Sequence, residues 1–170
     1  VGVLPVYKDS FFCGLEREDG LQLVMMHDNG VVRCDVNIDS RFEGYTDVLH
    51  GGMIFGILDV IIWYAIFMET KKICMTRHTE MDFLKPVMCD TPYIAKGKFL
   101  KVEERDFLAT AWMEDRHGEL CARVDAIFRE AKDISAAHFI NRFDFSRTSP
   151  KIKQHFYSLL DETHKKKVKS

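Results

Sequence analysis

The sixteen residues from Met53 to Met68 contain one charged side chain, Asp59, and no proline. A helix that is apolar on every side has to be enclosed. The run is shorter than the ~20 residues a bilayer core requires and carries its carboxylate near the middle. A buried core helix is therefore expected, and no membrane span. An unpaired charge in such a place is costly, so Asp59 needs a partner or a chemical role. His50-Gly51-Gly52 stands immediately before the run. Two adjacent glycines permit a sharp corner or a close backbone approach. Thr46 and Asp47 are the expected helix caps, and Lys71-Lys72 would complement the dipole at the other end.

Strand-like segments flank this helix. Residues 21–27 and 31–38 surround Asp28-Asn29-Gly30, a strong short hairpin signal because Asn and Gly both tolerate positive φ. In the second segment Val32, Cys34, Val36 and Ile38 alternate with Arg33, Asp35, Asn37 and Asp39, one face buried and the other wet. Ile73–Val87 reads as a long strand closed by Pro86, with Ile73, Met75, Met81 and Phe83 on one face. Cys74, Thr76, His78, Glu80 and Asp82 form the polar face. A charged strand face of this kind guards an edge or meets a second copy. Tyr93–Val102, Phe107–Met113 and Leu120–Phe128 are three further strands. Short turns between strands imply antiparallel pairing, so the fold class is α+β, a curved antiparallel sheet wrapped around one long central helix.

Residues 1–131 form the main domain, with 1–20 as a lead-in in which Phe11, Phe12 and Leu15 make a short helical turn over a pocket or simply connect. Residues 132–170 form a C-terminal extension. Pro150, Ile152, Phe156, Leu159 and Leu160 predict a helix over about 150–164. The basic tail after it is expected to be solvated or disordered.

Composition narrows the function. A net charge of −2 over 170 residues gives no general attraction to nucleic acid. Five cysteines without a CxxC spacing argue against a disulfide framework and a zinc ribbon, and for a reducing, cytoplasmic setting. The first residues show no charged segment followed by an apolar core, so no secretory signal is expected among them. The histidines show no metal-ligand spacing; neither metal nor cofactor is expected.

The block Phe42-Glu43-Gly44-Tyr45, Val48-Leu49-His50-Gly51-Gly52 and Leu58-Asp59 resembles the signature of hotdog-fold acyl-CoA thioesterases of the phenylacetic-acid-degradation (PaaI) type. The aspartate follows the histidine by nine positions. The resemblance extends from about residue 13 to 130 and includes Asp82-Phe83-Leu84-Lys85-Pro86 and Gly118-Glu119-Leu120-Cys121-Ala122. It implies a hotdog fold and hydrolysis of an acyl-CoA, medium- or long-chain or aryl, to the free acid and CoA. Asp59 would be general base or nucleophile, the Gly51 N–H the oxyanion donor, and Thr76 a supporting hydroxyl. His50 would fix the turn. Substrate would lie against Phe42, Gly44, Val48, Gly52, Phe55 and Met75, with Lys85 and Lys98 as phosphate partners. The family's dimers, often paired into tetramers, place the site at the dimer interface, with the aspartate and the oxyanion glycine from different protomers.

Two features depart from that pattern. Gly44 stands where some members carry an Asn or Gln, and Val60 follows Asp59 where many carry a second carboxylate. A non-catalytic acyl-CoA or fatty-acid binding protein, a sensor or carrier, is the alternative reading. Phe55, Trp63 and Phe67 are expected in the core, with some lining an acyl channel.

Overall fold

The computed structural model describes residues 1–167, of which 162–167 are described as helical backbone only. The elements, in order, are β1 (Gly2–Val3), β2 (Val6–Tyr7), β3 (Met25–Asp28), β4 (Val31–Val36), a 3-10 turn (Ser40–Phe42), β5 (Glu43–Tyr45) and β6 (Val48–Leu49). There follow α1 (Gly51–Thr70), β7 (Cys74–Phe83), β8 (Tyr93–Glu103), β9 (Asp106–Asp115), β10 (Leu120–Glu130), α2 (Ala136–Asn141), β11 (Phe143–Asp144) and α3 (Pro150–Lys167). Seven strands form one antiparallel sheet in the order β1-β3-β4-β8-β9-β10-β7. The helix α1 lies against it, chiefly over β8 and β9. This is the α+β architecture expected from the sequence.

The packing follows from side-chain size. The sheet presents small residues inward, Ala95, Ala109, Ala111, Ala122 and Ala126, all buried. Against them α1 places Ile57, Leu58, Ile61, Ile62 and Ile66, each fully buried. Large residues on the helix fill the space that small ones on the sheet leave open. Each such isoleucine or leucine contributes about 1.5–3 kcal/mol of transfer free energy.

The helix is 20 residues long, four more than the apolar run suggested. By length and composition it could cross a membrane. Its place between the sheet and the N-terminal segment makes it a core helix instead. Its N-cap is His50, whose Nδ1 accepts the Gly52 N–H at 2.9 Å, and not Thr46 or Asp47. Asp47 sits at φ +61° in the turn between β5 and β6. At the other end Lys71 is the left-handed C-cap, its N–H bonding to the Phe67 carbonyl. Lys72 reaches across to Glu130 at 2.9 Å.

The β3–β4 hairpin turns at Asn29 and Gly30 with φ +47° and +78°, the primed turn that Asn-Gly favours. Strand β3 begins only at Met25; residues 21–24 belong to the strap described next.

The N-terminal segment is more than a connector: Phe11, Phe12 and Cys13 make the expected helical turn, closed by the Gly14 N–H on the Ser10 carbonyl at 2.8 Å. β1 pairs with β3 at the sheet edge, and β2 pairs with β11 far along the chain. Between them and β3 the chain straps the helix from outside. The Tyr64 hydroxyl donates to the Pro5 carbonyl at 2.7 Å. The Phe12 ring lies on Gly56, so close that a Cβ there would fall 2.1 Å from the ring. The lysines at 165–167 continue α3, and the remainder of the basic tail, 168–170, lies outside the described residues.

β7 is an edge strand, hydrogen-bonded on one side to β10 alone. Its faces differ from a strict alternation. Thr76 pairs with Phe128 and His78 with Ile127, so Arg77 is an extra residue, a β-bulge. Ahead of the bulge Cys74 is buried and Thr76 turns to the helix, whereas Met75 is 65% exposed. The face read as polar is therefore inward at this end.

Candidate active site

Asp59 sits one helical turn before Trp63 on α1, partly buried, in the wall of a cavity of about 650 Å³. Thr76 of β7 donates its hydroxyl to Asp59 Oδ1 at 2.7 Å. Burial pushes the Asp59 pKa above the ordinary carboxylate value, and the Thr76 hydrogen bond partly offsets this. A carboxylate held in this way is a better proton acceptor than an exposed one. Met75 lies at the mouth of the same cavity.

The His-Gly-Gly turn lines a second cavity of about 570 Å³, with Gly44, Val48, His50 and Gly51 on one side and Phe83 and Lys85 on the other. The Gly51 N–H is at the first position of α1 and finds no acceptor among the described residues. The Gly52 N–H is occupied by His50 Nδ1. A free N–H at a helix N-terminus, aided by the helix dipole, suits a developing negative charge. The role of His50 is visible in this bond: it caps the helix and shapes the turn that presents Gly51.

Within one chain the residues anticipated from sequence thus form two groups. Asp59, Thr76 and Met75 share one cavity; Gly51, His50, Gly44 and Val48 share the other. Eight residues of helix separate Gly51 from Asp59, a rise of about 12 Å. Phe42 and Phe55 line neither cavity. Phe42 packs edge-on against Phe11 at 5.9 Å, and Phe55 packs on the core. Lys85 is paired with Glu119 at 2.5 Å beside the Gly51 cavity, and Lys98 is exposed on β8, away from both. Among the described residues no three His, Cys, Asp or Glu side chains form a metal-binding group.

Trp63, expected in the core or along an acyl channel, lines the Asp59 cavity, whereas the rest of its wall was not anticipated. Tyr7, Ser10 and Cys13 reach it from the strap, and Ile134, Phe139 and Phe143 from the C-terminal segment. Only Trp63 had a local signal: four residues after Asp59, it must share its helix face.

Residues 46–122 match the model of the thioesterase superfamily. These residues hold the His-Gly-Gly turn, α1, Asp59 and Thr76, and this part of the chain is similar to the hotdog domain of that superfamily. A solved thioesterase superfamily protein matches at a TM-score of 0.68 with 22% identity, over 72% of this chain and 61% of its own. The Escherichia coli PaaI protein from the phenylacetic acid degradation operon matches at 0.58 with 14% identity, over 64% of this chain and 78% of its own. A hypothetical thioesterase from Streptococcus pneumoniae, solved with coenzyme A, matches at 0.58 with 15% identity, over 63% and 86%. That protein has also been solved with an aspartate, and separately a threonine, replaced by alanine. These likenesses establish the fold. An uncharacterized protein of Schizosaccharomyces pombe is 25% identical over 104 residues, 58% of this chain and 59% of that protein. The chain therefore spans less than two thirds of the length of the first relatives it matches.

Proposed function

We propose that the protein hydrolyses an acyl-CoA thioester to a free acid and CoA. The observation that carries this is the Thr76–Asp59 hydrogen bond at the wall of an apolar cavity, in a domain similar to that of the thioesterase superfamily. Asp59 takes a proton from water as the water oxygen attacks the thioester carbonyl. The oxyanion is held by the Gly51 N–H. When the carbon–sulfur bond breaks, the departing thiolate takes up the proton, and Asp59 is restored. Superfamily structures solved with CoA and the aspartate and threonine chosen for replacement in one of them support this reading.

Two groups about 12 Å apart on one helix cannot serve one carbonyl. A homodimer resolves this. β7 is a free edge with Met75 65% and Phe83 56% exposed at its two ends. Pairing two copies antiparallel along β7 brings the Thr76 end of one against the Phe83 end of the other. Asp59 of one copy then faces Gly51 of its partner, and the assembly holds two equivalent sites.

The test is thiol release from a panel of acyl-CoA esters with wild type, Asp59→Asn, Gly51→Val and an equimolar mixture of the two variants after subunit exchange. Each variant alone should lose at least ~100-fold in rate. In the mixture, heterodimers carry one intact site and should regain a substantial part of the activity. Absence of hydrolysis by wild type, with acyl-CoA still bound, would instead establish a binding protein. Hydrolysis without recovery on mixing would refute the shared site.

A further inference from the structure

One side of the Asp59 cavity is built from outside the part of the chain that matches the superfamily. The match ends at residue 122, and Ile134, Phe139 and Phe143 come after it. Tyr7, ahead of it, completes the wall. These residues are held there by specific bonds. β2 and β11 pair antiparallel, the Lys8 N–H donates to the Arg142 carbonyl at 2.9 Å, and Arg142 forms an ion pair with Asp9. The strap and the C-terminal segment are clasped together over one end of the cavity.

The rings there brace one another. Trp63 stacks on Phe67 at 5.2 Å and 16°, and lies 5.6 Å from Phe139 and 6.0 Å from Phe143. Phe139 and Phe143 meet edge-on at 5.1 Å, and Tyr7 meets Phe143 edge-on at 5.3 Å. A ring fixed on several sides cannot swing aside to lengthen the cavity. Trp63 follows Asp59 by one turn, about 6 Å along the helix. The aromatic wall therefore begins one turn beyond the carboxylate.

We infer that the segment 132–149, clasped to the strap through Tyr7, is the specificity element of this site: it closes the acyl cavity at Trp63, Phe139 and Phe143 and restricts it to compact acyl groups. Short chains and small rings fit; long extended chains meet the aromatic wall. This rests on the thioesterase reading for its substrate class, and the cavity itself can be probed without turnover.

The experiment measures kcat/KM for acyl-CoA esters of increasing chain length with wild type, Phe139→Ala and Ile134→Trp. In parallel, binding of the same esters to the Asp59→Asn protein, with and without Phe139→Ala, is followed by calorimetry. Wild type should prefer compact esters over long-chain ones by at least ~10-fold. Phe139→Ala should move the optimum to longer chains, in hydrolysis and in binding alike. Ile134 is 39% exposed at the cavity rim, so Ile134→Trp keeps the fold and should reduce the rate on the bulkier esters first. A length profile unchanged in both variants, or a wild type that prefers long chains, overturns the inference. If no ester is hydrolysed but the binding profile shifts with Phe139→Ala, the cavity assignment stands and the catalytic reading falls.

Discussion

Thr76 and Asp59, seventeen positions apart, are joined at 2.7 Å, with the strand hydroxyl donating to the helix carboxylate. The bond ties β7 to α1 and opposes the effect of burial on Asp59. Thr76→Val keeps the shape and removes the donor. The Asp59 pKa then rises further, so the acid limb of kcat/KM moves to higher pH than in wild type. A hydrogen bond to a charged group is worth about 1.5–3 kcal/mol, so the rate should fall roughly 10- to 100-fold. Thr76→Ser should restore both. A pH profile that does not move in Thr76→Val would show that the hydroxyl leaves the carboxylate unaffected.

Asp59 also sets a pH dependence of stability. Its pKa in the folded protein lies above the unfolded value because of burial. The folded chain therefore holds this proton more tightly than the unfolded chain, and protonation favours folding. That contribution is fully present below the unfolded carboxylate pKa and is lost as pH rises through the folded value. Asp59→Asn removes the cost of the buried charge. Thermal unfolding from pH 4 to 8 should show the variant more stable than wild type at neutral pH, the difference closing on acidification. A variant less stable at neutral pH contradicts this.

Gly56 is required by the strap. Alanine in an exposed helix interior is worth up to about 1 kcal/mol more than glycine. Here the added methyl would fall 2.1 Å from the Phe12 ring. Gly56→Ala should therefore destabilise by about 1–3 kcal/mol, the usual cost of overpacking. Phe12→Leu in the same chain should recover part of the loss. Urea unfolding of wild type and the two variants decides it, and a Gly56→Ala protein as stable as wild type would mean that the strap gives way freely.

The β7 edge is open to a direct test of assembly. Phe83→Asp changes a side chain 56% exposed in the single chain, so its effect on folding should be small. Buried in the proposed interface, it should cost at least about 2 kcal/mol of association, roughly 30-fold in the dimer constant. Light scattering should show the mass of one chain at concentrations where wild type shows two. Thiol release should fall with the dimer, since each site needs both copies.

What the sequence disclosed depended on how local each determinant was. The Asn29-Gly30 hairpin and α1 are written in adjacent residues, one as turn chemistry and the other as an unbroken apolar run. The Asp59–Thr76 pair was legible through its likeness to a known family, although the inward turn of Thr76 depends on a bulge at Arg77 that alternation cannot show. The helix cap was misassigned to Thr46 and Asp47 because those types cap most often, whereas His50 accepts through its ring nitrogen. Apart from Trp63, the cavity wall had no signal. β2 and β11 are two residues each and α2 six, too short for any period, and Tyr7 meets Phe143 across 136 positions of chain.

The clasp between β2 and β11 also orders events in time. During synthesis, the first strand of that pair waits until Phe143 and Asp144 have been made, while α1 and the strands after it can already pack. The domain that resembles its relatives is thus assembled first, and the part that distinguishes it is added last. A nascent chain halted before Phe143 would have Asp59 and Thr76 in place beside a cavity with one end still open to water.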